Sequence, residues 1–113
     1  MPDEPLVDTA VYRELQDTAG AEFTAELVGT FVEETPGILQ TLRRSHAQAD
    51  ADNFRRAAHS LKSNSLTFGA APLAALARAL ELGGLEAADA HALAQLQSTY
   101  EHSAAALQEL ARG

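Results

Sequence analysis

His59, with Arg55 and Arg56 one helical turn before it and Lys62 one turn after it, forms the group of residues in this chain best suited to chemistry. At about 100° per residue, Phe54, Ala58, Leu61 and Ser65 fall on one side of a helix, and Arg55, Arg56, His59, Lys62 and Ser63 fall roughly opposite. The imidazole therefore points outward. Ringed by three cations, one of them the chain's only lysine, it suits an anionic group. The simplest group that bonds reversibly to a histidine nitrogen is phosphoryl. An unperturbed imidazole titrates at about 6.5, so much of the population carries a nucleophilic lone pair at neutral pH without special activation.

The neighbouring residues extend this reading. Lys62 can pair with phosphoryl oxygens, and Arg55 or Arg56 can screen charge there, meet an acidic partner surface, or simply pair with Asp52 at helical spacing. Leu66, two turns beyond His59 on the same face, is expected to be an exposed apolar residue and hence part of a docking patch. Ser65 lies toward the core and is expected to hold the helix packing through its hydroxyl. An isolated exposed histidine beside arginines is ordinarily a solvated surface residue, which is how His46, His91 and His102 read on their polar stretches.

The elements that position these residues follow from the chain's punctuation. After an arm over residues 1–7, Asp8 is a plausible N-cap for a short helix through Ala19, with Val11, Tyr12 and Leu15 apolar and Gly20 as its stop. Phe23, Leu27, Val28 and Phe31 recur at helical spacing from Ala21 to about Glu34. Thr35-Pro36 then reads as a cap followed by proline at the first helical position, opening a segment to about Ala49 with Ile38, Leu39 and Leu42 inward. The two segments can also form one kinked rod.

Asp50 or Asp52 caps the helix that carries His59, with residues 50–53 read as a turn, and Gly69 supplies a flexible stop. Ala71-Pro72 restarts the chain, with Leu73, Leu76, Ala77 and Leu80 on one stripe, and Gly83-Gly84 breaks it. A last helix is expected from about Glu86 to Ala111, carrying Leu93, Leu96, Tyr100, Leu107 and Leu110. Four major amphipathic units joined by short connections predict an all-α fold over residues 8–112: an antiparallel four-helix bundle with a short additional N-terminal helix across one end.

Composition bounds the function. With 113 residues the chain is one domain, too short to hold a nucleotide-binding catalytic domain as well. Its 24 Ala and 16 Leu against 4 Val and 1 Ile favour helices. A net charge of -8 argues against nonspecific binding of nucleic acid or anionic membrane. Without cysteine there is no thiolate chemistry, disulfide or Cys-based zinc site. No apolar run approaches 18 residues and no charged-then-apolar leader opens the sequence, so a cytoplasmic protein is expected.

The order His59, Leu61, Lys62, Ser65, Gly69, Ala70, then Leu73, Leu76, Leu80 and Glu81, resembles the histidine-phosphotransfer (HPt) domains of two-component phosphorelays, whose pattern can be written H-x-L-K-G-x-S-x-x-x-G-A. The resemblance covers the whole bundle. It implies that His59 accepts a phosphoryl group from an aspartyl phosphate on a receiver domain and passes it to another receiver. It also implies partners among the receiver domains of response regulators or a hybrid sensor histidine kinase, with Mg²⁺ supplied by the receiver and no cofactor in this chain. Ser63 departs from the pattern, standing where the family commonly has glycine. It is expected either to alter docking geometry or to donate a hydrogen bond to the phosphoryl group.

Other classes fare less well. No glutamate is followed three residues later by histidine, so the Glu-x-x-His pattern of di-iron bundles is absent. There is no phosphate-binding G-x-x-x-x-G-K-[ST] loop or glycine-rich kinase element, hence no route to autonomous phosphorylation from ATP. The alternatives are a non-phosphorylated helical adaptor and the phospho-accepting module of a larger sensor kinase. Met1 and the complete bundle favour a stand-alone protein, and a monomer is the expectation because the bundle accounts for the apolar stripes.

Overall fold

Short polar side chains and glycines set the helix ends in the computed structural model, which describes residues 5–113. Helix α1 (Thr9–Ala19) begins at Asp8, whose carboxylate accepts a hydrogen bond from the Ala10 N–H, and ends at Gly20. Helices α2 (Ala21–Ala47), α3 (Ala51–Thr67) and α4 (Ala71–Gly83) follow, then a 3₁₀ turn (Gly84–Ala87) and α5 (Ala90–Arg112). Asp50 and Asp89 cap α3 and α5 by accepting from the Asn53 and Ala92 N–H groups, satisfying donors that the first helical turn leaves free.

The fold is all-helical across the described residues. Helix α2 packs against α3 and α5, α3 against α4, and α4 against α5, while α1 lies on α2 and α3. The apolar stripes meet in a single core in which Leu42, Phe54, Leu61, Leu73 and Leu107 are completely buried. The Phe31 ring is tilted against Phe68 and Tyr100 with centroids 5.2 and 6.0 Å away, an arrangement that suits the aromatic quadrupoles. Of the expected arm, residues 1–4 lie outside the described residues, and Val7 is buried in the core rather than solvated.

Four local expectations are corrected. First, of the two readings of this stretch the single rod is the one found: α2 continues through Pro36 instead of restarting there. Proline removes the N–H that would bond the Val32 carbonyl. The Tyr100 hydroxyl, arriving from α5, donates to that carbonyl at 2.9 Å, and Thr35 turns its hydroxyl back to the Phe31 carbonyl at 2.6 Å rather than capping a new helix. Second, Phe23 is 51% exposed, because Thr24 takes the inward position and donates to the Gly20 carbonyl at 2.7 Å. Third, α3 already includes residues 51–53, with Asp50 as its cap, so only the preceding residues turn. Fourth, α5 starts at Ala90, and Glu86 belongs to the 3₁₀ turn.

Candidate functional site

The turn between α3 and α4 brings two helix faces into register. Gly69 has a φ of 76°, and a Cβ on it would lie 2.7 Å from the Asp8 carbonyl, so a side chain is excluded both by conformation and by contact. Its carbonyl accepts from the Asp8 N–H at 2.7 Å, which pins the start of α1 to the same turn. Gly69 thus closes the turn and seats α1, acting on the site through the packing.

Helix α3 buries Phe54, Ala58, Leu61 and Ser65 and turns His59 outward, its side chain 57% exposed. Ser65 donates its hydroxyl to the Leu61 carbonyl at 2.7 Å, so the buried polar group is satisfied within its own helix. On α4, Leu73, Ala77 and Leu80 face the core. Glu81, next to Leu80, therefore emerges at the seam between α3 and α4 with its side chain 17% exposed.

There its two oxygens serve two partners. Oε2 lies 2.8 Å from His59 Nδ1, and Oε1 lies 2.8 Å from Lys62 Nζ. Lys62 first, and His59 after it, hold the Glu81 carboxyl below the usual carboxylate range against the opposing effect of desolvation. An ionised carboxylate only accepts hydrogen bonds, so Nδ1 carries the ring proton. In the neutral form of the ring the lone pair then falls on Nε2, the nitrogen not engaged by Glu81.

The expected ring of three cations around His59 is not what the structure has. Arg55 and Arg56 reach back to Asp52, at 3.1 and 3.2 Å, and Lys62 is engaged by Glu81. Ser63 is exposed one turn after His59, and Leu66 is 54% exposed. Among the remaining histidines, His91 and His102 are exposed, while His46 is half-buried with its ring 6.4 Å from that of Phe54.

Glu81 is the residue to which the sequence reading gave no role. It stood in the motif, at the end of the leucine-rich stripe beside Leu80, but its partners lie on another helix. Among the described residues no cluster of three or more His, Asp or Glu side chains is arranged to hold a metal ion. None of the described helices is long and apolar enough to cross a membrane.

The described residues thus form an all-helical fold that presents one braced, outward-facing imidazole. The family model of the Hpt domain matches residues 26–111, and the chain belongs to that family. Among solved structures it is similar to histidine-containing phosphotransfer protein B (HptB) from Pseudomonas aeruginosa PAO1. The TM-score is 0.76 and the identity 28%, over 97% of this chain and 94% of that one. No curated protein sequence gives a significant match. At this level the role of the chain is phosphotransfer in two-component signalling, as a module of the Hpt kind.

Proposed function

We propose that His59 is the phospho-accepting residue of a phosphorelay intermediate, and that it takes phosphoryl from the aspartyl phosphate of one receiver domain and passes it to another. The observation that carries this reading is the Glu81 carboxylate on Nδ1 at 2.8 Å, which leaves the Nε2 lone pair outward on an exposed ring.

In the first step Nε2 attacks phosphorus, the bond from phosphorus to the aspartyl oxygen breaks, and the receiver regains its carboxylate. The ring becomes cationic as the N–P bond forms. Glu81, already accepting from Nδ1–H, stabilises that charge without rearrangement. In the second step the carboxylate of another receiver attacks phosphorus, the N–P bond breaks and the electron pair returns to Nε2. Lys62, held on Glu81, fixes the carboxylate and offers the nearest ammonium to the phosphoryl oxygens. Ser63 sits on the approach side, where a glycine would leave more room. A Mg²⁺ ion held by the receiver would supply charge stabilisation to the transferring phosphoryl group.

Leu66 and the open surface around His59 are assigned to receiver docking. The closed series of contacts among α2, α3, α4 and α5 supports an antiparallel four-helix bundle with α1 across one end. The test is incubation of the purified protein with a panel of phosphorylated receiver domains, with His59→Gln alongside. Acid-labile, base-stable phosphate on the wild type alone is the expected result. Binding to a receiver without any label would move the assignment to an adaptor.

A further inference from the structure

Asp52, Arg55, Arg56 and His59 share one face of α3, and the two arginines stand midway along it. Arg55 lies three residues after Asp52 and four before His59, and Arg56 lies four after Asp52 and three before His59. Both spacings bring side chains together on a helix surface. Each guanidinium can therefore turn back to Asp52 or forward to His59, and in this structure both turn back, at 3.1 and 3.2 Å. The arginines flank the site on two sides: Arg55 and Asp52 line a recess with Glu81 at the α3–α4 seam, whereas Arg56 lines the groove toward α2.

Resting on the reading that His59 carries phosphoryl, we propose that Asp52 is a positioning residue that competes with the phosphoryl group on His59 for Arg55 and Arg56. In the unmodified protein Asp52 is the only carboxylate of this face that the two arginines engage, because Glu81 is already taken by Lys62 and His59. Phosphorylation changes the balance. A phosphoryl group adds about two negative charges, partly offset by the cationic ring, and places three strong acceptor oxygens one turn from each guanidinium, against the two oxygens of Asp52. The side chains of Asp52, Arg55 and Arg56 are 63%, 57% and 70% exposed, and pairs this exposed are weak enough to exchange. Asp52 thereby limits how tightly the arginines hold the phosphoryl group, so that it remains transferable to the next carboxylate. The exchange breaks no covalent bond and moves no proton.

The test compares wild type, Asp52→Asn, Arg55→Ala/Arg56→Ala and the triple variant. Each is phosphorylated with phosphoramidate, from which Nε2 displaces ammonia at phosphorus, and the decay of base-stable phosphate is followed. Asp52→Asn is expected to lengthen the lifetime by about two- to fivefold, the range that exposed charge pairs carry, and the arginine-free pair of proteins to show no dependence on residue 52. Helical circular dichroism checks that each variant is folded. An unchanged lifetime in Asp52→Asn, or the same change without the arginines, would overturn the proposal while leaving His59 as acceptor. Absence of label on folded wild type would remove the assignment of His59 and this proposal with it.

Discussion

Along the inner face of α3, Phe54, Ala58, Leu61 and Ser65 are wholly buried, and the only polar group among them is hydrogen-bonded to its own helix. Along the outer face, Arg55, Arg56 and His59 are more than half exposed; the arginines pair with the exposed Asp52, and His59 with Glu81 at the seam with α4. The two faces differ in how a loss spreads. A deletion inside leaves a cavity that the close-packed neighbours fill only partly. A deletion outside leaves the helix standing and removes chemistry together with, at most, the modest stabilisation of a surface ion pair. A single helix can thus hold the fold and expose the reactive nitrogen without one duty constraining the other.

The sharpest way to break this contrast is to change one residue on each face. His59→Gln is expected to abolish phosphotransfer entirely while moving stability by no more than about 0.5 kcal/mol, the usual limit for a surface substitution. Leu61→Ala should destabilise the domain by about 2–5 kcal/mol while the folded fraction still accepts phosphoryl. Denaturant titration beside a transfer assay separates the two. A His59→Gln protein that unfolds readily would show that the outer face carries structure after all.

A middle-sized effect is expected at Tyr100. Its hydroxyl donates to the Val32 carbonyl, so Tyr100→Phe leaves that acceptor unpaired at the Pro36 break in α2 and should lower stability by about 1–2 kcal/mol, with transfer unchanged. Lys62→Ala, on the outer face, should slow transfer or shorten the phospho-form by about tenfold, the lower end of the worth of one charge-assisted hydrogen bond, with little change in unfolding midpoint. Equal rates and lifetimes would reduce Lys62 to a brace for Glu81.

The smallest effect is a pH dependence. Because the folded Glu81 carboxyl is held below its ordinary value, chiefly by Lys62, its stabilisation is fully present above the unfolded glutamate pKa of about 4.3 and is lost as pH falls through the lower folded value. Wild type should therefore lose stability more steeply than Glu81→Gln on acidification below that point. Parallel acid titrations of the two proteins would contradict the ionised state of Glu81.

The parts of the molecule that were legible in the sequence are those set by local chemistry. Asp8, Asp50, Gly20 and Gly69 mark helix ends because caps and positive-φ stops act within a few residues, and the buried and exposed sides of α3 follow from its period. What was not legible depends on partners distant in sequence. Pro36 reads as a helix start until a tyrosine 68 residues from Val32 satisfies the freed carbonyl. Glu81 stands in the motif without an assigned partner until α4 folds back on α3. Phe23 and Thr24 are consecutive and about 100° apart on the wheel, and only the packing decides which turns inward. Asp89 is a different case, since its cap was there to be read and the glycine pair upstream drew the boundary too early.

The measurement that bears most directly on the central claim is long-range ¹H–¹⁵N correlation of the His59 ring before and after phosphorylation. The account predicts that the unmodified ring is protonated at Nδ1 and that phosphorus is coupled to Nε2 in the phosphorylated protein, with the Nδ1 proton retained. Phosphorus on Nδ1, or on any other residue, would contradict it.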